Sequence, residues 1–527
     1  MKLPLKTLAA AALAMASSGC SSFLDINDNP NSLTTNNPPT PAAILAQALS
    51  TTATLYTGGT PSYNSYSMFA ADYVGKSGIV NGYAEERTYN YTSTYYQGLW
   101  SGTYDNLNDY NTIQVQGTAN NFPFHAAIAR IMKVYDYLLL VDQYGDIPYT
   151  NALKGASNLS PTYDKAADIY RDLIVQLTGA ISDINAATTK AADPNNGVVI
   201  VGAEDIVFGG GTAGMTNWQR FANSLKLRIL LRESQTNDAA LNTYVATQIA
   251  ALQSAAPGFI TTDVVVQPGY QQSSGQQNPF YSRYGITVAG TSAGERYYQF
   301  PTRYILAQYT TNNDPRVSQL YTTGVLNGVT TYNGTDAGET APPTLQAPSV
   351  GSRFALSGGL LKGFNAPTVL MFLSEHLFNK AEAETRNLYP GGDTQAKLDY
   401  ENAILASFLS FYRPATTTPA TVPATPATSA AAGASQYVTF MAAAVTSKNP
   451  RVSYSDAPST GALGKQYVIL YQKYLAMNTV AATEGWADFR RAAQPKIEAS
   501  LQASVAGRFP KRLLYPQTEV NTNATNV

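Results

Sequence analysis

The chain has 527 residues, with 34 basic and 35 acidic side chains and a formal net charge of −1 at pH 7. This balance argues against a nucleic-acid partner, which would require a basic face. A single cysteine excludes internal disulfides, so a hydrophobic core must stabilise the fold. Tyrosine occurs 36 times, and its apolar ring with a polar tip suits both core packing and contact with neutral polar ligands.

The N-terminal segment is typical of an export signal that ends at a lipidation site. Two lysines precede an apolar run over residues 8–16, which is too short to span a bilayer, and small residues then lead to Cys20. We therefore expect residues 1–19 to be a lipoprotein signal peptide and Cys20 to carry the lipid anchor. An ordinary secretory signal with an incidental cysteine is the alternative. Residues 20–41, rich in Asn, Pro and Thr, are expected to form a lipid-anchored tether.

Helical patterning begins near Ala42 and continues through most of the body, residues 42–527. From Tyr96 to Leu107 the apolar residues follow helical spacing and should bury one face. A strong amphipathic helix is predicted over residues 124–143, and it should end where Gly and Pro occur in residues 144–149.

The same helical spacing of apolar residues continues along the rest of the chain. A helix is predicted over residues 163–183, and the next should begin at a capping box formed by Thr216 and Gln219. In that helix Trp218 and Leu225 lie on the apolar stripe that should pack into the core. Further helices are predicted over residues 369–386, 394–411, 463–477 and 484–491.

These repeated helix pairs predict a mainly α fold, a single domain with a tetratricopeptide-like helical scaffold and long irregular ligand-binding loops. The longest loop covers residues 259–301 and is rich in Gln, Ser and Gly. Long irregular segments inside a compact body are usually functional or disordered. A Pro/Thr/Ala-rich insert at about 414–434 is expected to be a flexible surface loop.

The candidate ligand-binding residues are aromatic and polar side chains in two non-helical stretches, expected to be exposed because these stretches have no obvious core to fill. They are Tyr83, Tyr89 and Tyr91, then Gln277, Asn278, Tyr281, Arg283, Tyr284, Tyr297 and Tyr298. Tyrosine rings stack on the apolar faces of sugars, and amide and guanidinium groups bind hydroxyls. The same surface would accept peptides. Packing of these loops against the scaffold is the structural alternative.

Several stretches together resemble the SusD/RagB family of nutrient-binding outer-membrane lipoproteins, in its SusD-like branch. The most specific match is FANSLKLR at residues 221–228, inside the stretch 218–232. The other matches are FLDIN at 23–27, NPN at 29–31, YGDIPY at 144–149, residues 375–384, QKY at 472–474, Trp486, Arg490 with Arg491, and Tyr515 with Pro516.

The resemblance implies a lipoprotein anchored in the outer membrane and facing the cell exterior. It also implies a partner, a TonB-dependent outer-membrane transporter of the SusC-like type, over which the lipoprotein would sit as a hinged lid. It would capture an oligosaccharide, or in a variant of the same role a peptide, and deliver it to the transporter without any chemical reaction. The matched motifs themselves are structural, so the ligand site is expected in the loops.

Other functions have weaker support in the sequence. Residues 290–294 fit a hydrolase nucleophile elbow with Ser292 as the nucleophile, but the only later histidine, His376, lies on the apolar face of a predicted helix, where a packed core residue is expected. Glu375 and Glu382 share one helix face and are expected to be solvated. No cofactor is predicted, and two histidines give too few ligands for a zinc site. A purely structural or adhesive surface lipoprotein is a third possibility.

Overall fold

The computed structural model describes residues 39–58, 61–76, 81–339, 345, 347, 349–458 and 463–527. Within these ranges the chain is mainly α-helical, as the sequence predicts. The signal peptide, Cys20 and nearly all of the tether lie outside the described residues.

The helices are numbered in chain order. They are α1 (Pro41–Ala53), α2 (Tyr63–Ala70), α3 (Ala84–Thr88), α4 (Gln97–Ala119), α5 (Pro123–Tyr144), α6 (Ala166–Ala191), α7 (Gly211–Glu233), α8 (Ala239–Ala251), α9 (Pro279–Tyr284), α10 (Arg303–Thr310), α11 (Val317–Leu320), α12 (Leu373–Thr385), α13 (Gly392–Tyr412), α14 (Ala434–Thr446), α15 (Lys465–Ala476), α16 (Ala482–Ala492) and α17 (Gln517–Thr522). Among the described residues, no helix combines the length and hydrophobicity needed to cross a bilayer.

The strands are short and form two-stranded antiparallel pairs. They are β1 (Val74–Lys76), β2 (Ile147–Pro148), β3 (Tyr163–Asp164), β4 (Val264–Val266), β5 (Gln299–Pro301), β6 (Gly324–Leu326), β7 (Val329–Thr331) and β8 (Thr368–Met371). The pairs are β1 with β5, β2 with β3, β4 with β8, and β6 with β7. In the first pair Val74 lies opposite Pro301, which ties the N-terminal part of the chain to the middle.

The helices pack as successive neighbours, the arrangement expected of a tetratricopeptide-like scaffold. Helix α4 packs on α5, α5 on α6 and α6 on α7, and in the second half α12 packs on both α13 and α15. The two parts of the chain also meet, because α2 packs on α16. The ring of Tyr73, which follows α2, also stacks on Tyr474 of α15 at 4.5 Å. The Tyr73 hydroxyl donates to the carbonyl of Tyr474, and the Tyr474 hydroxyl donates to the carbonyl of Ala71.

Asp205 explains why α7 begins earlier than predicted. Its carboxylate accepts hydrogen bonds from the main-chain N–H of Phe208 and Gly210 and from the Trp218 indole at 2.9–3.0 Å. These bonds fold the preceding loop so that the helix begins at Gly211. The predicted capping box is therefore wrong: Thr216 lies within the helix and its hydroxyl donates back to the carbonyl of Thr212.

Two acids predicted to be solvated are buried instead. Glu375 is fully buried and forms a bidentate pair with Arg228 of α7, with both N–O distances 2.7 Å. Glu382, also fully buried, pairs with Arg491 of α16 at 2.8 Å. The helical period correctly places both acids on one face, but that face packs against two other helices rather than solvent.

The two long irregular segments have different structures. Residues 259–301 are mainly irregular, as predicted, but the short elements β4, α9, a 3₁₀ turn and β5 interrupt the loop. Residues 414–434 are irregular apart from a 3₁₀ turn at Pro426–Thr428 and Ala434, where α14 begins, and they are largely exposed. The flexibility of this insert stays a prediction.

Candidate ligand-binding site

A cleft of about 550 Å³ is built from three short segments around α9. These segments are α9 with the loop that precedes it from Gly275, the π-helical turn Thr54–Gly58 that follows α1, and the 3₁₀ turn Gly294–Tyr297. The residues that line this α9 cleft are Thr54, Gly58, Gly275, Gln277, Pro279, Ser282, Arg283, Gly294 and Glu295.

Local sequence explains how α9 is positioned. The Asn278 side chain caps the helix by accepting the N–H of Tyr281 at 2.9 Å, and Pro279 occupies the first helical position. Gly58 lets the π-helical turn lie directly against α9, because a Cβ at this position would come within 2.3 Å of the Pro279 Cβ. The wall of the cleft is therefore fixed by close packing of backbone on backbone.

Charged and hydroxyl groups form a connected network beside the cleft. The Arg283 Nε donates to Glu295 at 2.7 Å, and the Tyr83 hydroxyl donates to the same carboxylate at 3.3 Å. The Gln299 amide donates to the hydroxyls of Tyr83 and Tyr284 at 3.3 and 3.4 Å. Burial raises the pKa of the Tyr83 hydroxyl above its ordinary value, so this group stays a neutral donor.

Three tyrosines near this region adopt a left-handed backbone conformation that bulky residues rarely use. The φ angles of Tyr83, Tyr89 and Tyr96 are 63°, 54° and 46°. Tyr83 and Tyr89 are held by tertiary hydrogen bonds to Glu295 and Ser500, and the Tyr96 ring stacks on its chain neighbour Tyr95 at 4.1 Å. Backbone strain of this kind persists only where the surroundings fix it, and it is concentrated at ligand sites and switch regions.

The structure brings three of the predicted ligand residues to the cleft. Gln277 and Arg283 line it, and Tyr83 joins its network through Glu295. Asn278 lies beside them but is buried, with its amide donating to the carbonyl of Ala366 at 2.9 Å. Its side chain is committed to holding α9 in place.

Tyr284 also adjoins the cleft, but its predicted exposure is wrong. Only 2% of the residue is accessible, because its ring packs against Phe280 at 4.8 Å and Phe354 at 5.5 Å. The loop therefore does have a core to fill. What remains available to the cleft network is the hydroxyl, which accepts the amide N–H of Gln299.

Three further candidates in this segment are half-buried and lie outside the cleft lining. Tyr281 lines a separate cavity of only about 40 Å³. The Tyr297 ring is faced by the Arg353 guanidinium at 5.7 Å, and Tyr298 belongs to the turn next to it. Their role in ligand binding stays a prediction.

The remaining two candidates are on another part of the molecule. Tyr91 is 7% exposed and packs edge-on against Tyr66 at 5.1 Å, so its predicted exposure is wrong. Tyr89 is half-buried; its hydroxyl accepts the N–H of Ser500 at 3.1 Å and its ring faces Phe509 at 6.2 Å. Tyr89 therefore contacts segments from the C-terminal region, whereas Tyr91 packs among tyrosines of the N-terminal part of the chain.

Sequence reasoning missed two polar residues of the site, Glu295 and Gln299. Glu295 lies only twelve residues after Arg283 and two residues before Tyr297, and this proximity to the predicted residues was the signal that could have identified it. Gln299 begins β5, and only the pairing of β5 with β1 brings it close to Tyr83. No pattern in the sequence indicates that contact.

The geometry contradicts a nucleophile elbow at Ser292. This serine is exposed in a hairpin where the Thr287 N–H donates to the carbonyl of Thr291 at 2.7 Å, and its hydroxyl partner is Tyr297 at 3.2 Å. His376 is 1% exposed and packs on Phe259 at 4.6 Å. Burial lowers the pKa of His376 to about 3, as expected for a packed core residue.

A metal site has no support among the described residues, where no group of three His, Cys, Asp or Glu side chains could hold an ion.

The family model described as "Starch-binding associating with outer membrane", SusD-like, matches residues 30–516. The chain belongs to the SusD-like family. The resemblance of the short motifs to this family is thereby confirmed. No curated protein sequence matches the chain.

Solved structures of SusD homologues share the fold. A homologue from Bacteroides fragilis is 21% identical with a TM-score of 0.68, covering 93% of this chain and 94% of that one. A SusD/RagB family protein from Bacteroides thetaiotaomicron is 20% identical, with a TM-score of 0.64 and coverage of 92% and 95%. A chitin-binding SusD homologue from Flavobacterium johnsoniae is 17% identical, with a TM-score of 0.64 and coverage of 92% and 94%.

Proposed function

We propose that this SusD-like protein captures neutral oligosaccharides at the α9 cleft and delivers them for uptake, without catalysing a reaction. The observation that carries the proposal is the cleft itself, lined mainly by uncharged residues with one internally paired Arg283–Glu295 couple. Because that couple neutralises itself, the cleft presents hydrogen-bonding groups with little net charge. Such a site suits a ligand with many hydroxyls and no charge.

The ligand contacts follow from the chemistry of the cleft. Gln277 offers its amide oxygen, because its amide nitrogen already donates to the carbonyl of Ile286 at 3.1 Å. Ser282 offers a hydroxyl, and Glu295 offers carboxylate oxygens that accept from sugar hydroxyls. Hydrogen bonds to an ionised group are about twice as strong as neutral ones, so Glu295 is the expected anchor. A volume of about 550 Å³ falls within the range of small-molecule sites.

The cellular setting is part of the same proposal. The lipid on Cys20 would hold the protein to the outer membrane, with the body facing the cell exterior. The partner would be a SusC-like TonB-dependent transporter, which receives the sugar while this protein acts as its lid. The description of the family as associating with the outer membrane supports this placement.

Calorimetric titration of the body lacking residues 1–20 tests the ligand class. The panel contains neutral oligosaccharides, including starch and chitin fragments, and mixed neutral peptides. The proposal predicts binding of at least one neutral sugar. Binding of peptides alone would replace oligosaccharide by peptide in the same role, and no binding in either set would contradict capture by the isolated body.

The transporter partnership has its own test. The full-length lipoprotein is tagged at its C-terminus and isolated from outer membranes solubilised in mild detergent. We expect a TonB-dependent transporter to be recovered in a fixed ratio to it, and an unrelated tagged outer-membrane lipoprotein serves as the control. Recovery of this protein alone would contradict the delivery role and leave glycan capture untouched.

A further inference from the structure

A second groove, of about 690 Å³, lies between α16 and the segment that leads to α17. We call it the C-terminal groove. The residues that line it are Trp486, Phe489, Arg490, Ala493, Arg508, Phe509, Pro510 and Lys511. None of these residues lines the α9 cleft.

The wall of the groove contains a continuous set of aromatic rings. Trp486 stacks on Phe489 at 5.6 Å, and Phe489 meets Phe509 edge-on at 4.7 Å. Tyr89, one of the tyrosines with a left-handed backbone, extends the row by facing Phe509 at 6.2 Å. Trp486 is fully buried, whereas both phenylalanines are half-buried, so their rings are partly available to a ligand.

The charge of the groove is one-sided. Among the described residues that line it, three are cations, Arg490, Arg508 and Lys511, and none is Asp or Glu. The Arg490 Nη1 donates to two main-chain carbonyls, those of Asp142 and Lys511, at 2.6 and 3.1 Å. Arg490 therefore fixes the 508–511 segment against α16, and no carboxylate in the groove lining neutralises its positive charge.

The other two cations are unpaired. Within the described part of the chain, neither Arg508 nor Lys511 takes part in an ion pair or a side-chain hydrogen bond, and both are exposed. By contrast, the neighbouring Arg491 of α16 pairs with both Glu382 and Asp488. In a chain of net charge −1, this groove is a local concentration of positive charge.

We propose that the C-terminal groove binds acidic oligosaccharides, those with a carboxylate on successive sugar rings. This inference rests on the proposed function, glycan capture, and adds a second site of different ligand class. A uronic acid residue presents an apolar ring face and an anion at a fixed distance from each other. The groove offers the matching pair: aromatic rings for the sugar face, and Arg508 and Lys511 for the carboxylates.

An acidic peptide fits the groove less well. Its carboxylates would satisfy the cations, but Asp and Glu side chains have no ring face to cover Phe489 and Phe509. A neutral sugar would use the rings and leave the cations without a partner. Only a ligand that combines both features uses every group that the groove presents.

The proposal is tested by calorimetric titration of the body lacking residues 1–20. The ligands are oligogalacturonate and alginate oligosaccharides. We expect binding of at least one of them, and about tenfold weaker binding when its carboxylates are converted to methyl esters. The ester keeps the rings and linkages and removes only the charge. Failure of both acidic sugars to bind, or equal binding of acid and ester, would overturn the proposal.

Substitutions of the lining residues test whether the acidic sugar binds in the C-terminal groove. Arg508→Gln with Lys511→Gln should weaken the acidic sugar about tenfold, while Lys154→Gln with Lys190→Gln, the same charge change at exposed lysines elsewhere, should not. Phe509→Ala should weaken it as well, with the melting temperature recorded to detect unfolding. Equal effects of the two charge pairs, or equally tight binding of polyglutamate, would overturn the proposal by showing general electrostatic attraction.

The proposals for the α9 cleft and the C-terminal groove can be contradicted separately. Neutral sugars should bind the Arg508→Gln, Lys511→Gln variant as they bind the original chain, because the α9 cleft is unchanged. Loss of neutral binding in every form of the protein would contradict the proposed function of the cleft. Loss of acidic binding alone contradicts only the proposal for the C-terminal groove.

Discussion

The ring of Tyr284 shows how a residue in a polar loop can belong to the core. It lies between Phe280 and Phe354, and 2% of it is exposed. Replacing a buried aromatic residue by alanine removes its transfer free energy and leaves a cavity. We predict that Tyr284→Ala lowers the free energy of unfolding by about 3–4 kcal/mol, measured by urea denaturation.

Tyr284→Phe is the control for that measurement. It keeps the ring in place and removes only the hydroxyl that accepts from Gln299. The expected loss is about 1 kcal/mol. If Tyr284→Ala lost no more than Tyr284→Phe, the ring would not be part of the core.

Glu86, in α3, is an acid whose titration should affect stability. It is 4% exposed and accepts the Tyr95 hydroxyl at 2.8 Å, and burial raises its pKa to about 7. Because this value exceeds the unfolded pKa, the folded state binds an extra proton between about pH 4.5 and pH 7. The contribution of Glu86 to stability is therefore complete below about pH 4.5 and is lost as the pH rises through 7.

The variant Glu86→Gln should remove this dependence while keeping an acceptor for Tyr95. We predict that Glu86→Gln gains up to about 3 kcal/mol of stability relative to the original chain on going from pH 4.5 to pH 8. Urea denaturation of both proteins at both pH values measures the difference, and other titrating groups cancel. If the free energies of unfolding of Glu86→Gln and the original chain differed by the same amount at both pH values, the raised pKa of Glu86 would be contradicted.

At the scale of elements, a buried ionic network joins three helices. Arg228 of α7 binds Glu375 of α12 at 2.7 Å, and Arg232, one turn later, binds Glu484 of α16 at 2.8 Å. Removing one partner leaves the other charge buried and unpaired, which costs about 3–5 kcal/mol. We predict that Glu375→Ala lowers the free energy of unfolding by that amount, measured by urea denaturation.

An exposed pair provides the comparison. Asp168 and Arg171 lie 3.7 Å apart on the surface of α6. Because solvent screens both charges, Asp168→Ala should cost no more than about 1 kcal/mol. Similar losses for Glu375→Ala and Asp168→Ala would show that burial does not govern the strength of the α7–α12 contact.

Most of the long helices could be predicted from apolar periodicity, because a helix that packs on one side repeats its apolar residues every 3.6 positions. Helix α13 (Gly392–Tyr412), for example, matches its predicted range within two residues at the start. The start of α7 could not be predicted, since it depends on the bonds made by Asp205. Periodicity also identified the shared face of Glu375 and Glu382 without showing which helices would cover it.

The candidate site was only partly predictable. The segment that carries it was identified from its aromatic and amide content, and Gln277 and Arg283 do line the cleft. The contact of Tyr83 with Glu295 joins residues 212 positions apart, and no local pattern indicates such a pairing. For the same reason, the burial of Tyr91 could not be read from its polar neighbours in the chain.

Capture at the cell surface requires that the whole body be displayed from a membrane anchor. Cys20 lies outside the described residues, so its lipidation stays a prediction. Cys20→Ala should release the protein into the soluble fraction, because the acyl chains supply about 0.8 kcal/mol per buried methylene. Fractionation followed by detergent-free washing of membranes measures this. Retention of the variant in the washed membranes would contradict a lipid anchor at this residue.

Blocking the α9 cleft tests whether this cleft captures the neutral oligosaccharide. Ser282 is exposed on the cleft lining, and its hydroxyl donates only to the carbonyl of Pro279. Ser282→Trp should therefore fill the cleft without disturbing the fold. Ser318→Trp is the matched control, since Ser318 is exposed on α11 and donates to Pro315 in the same way.

The measurement is calorimetric titration of both variants and the original body with the neutral sugar that binds. We predict that Ser282→Trp weakens binding at least about tenfold at an unchanged melting temperature, while Ser318→Trp binds as the original does. Undiminished binding by a folded Ser282→Trp variant would contradict capture at the α9 cleft, because the sugar would then occupy another part of the molecule.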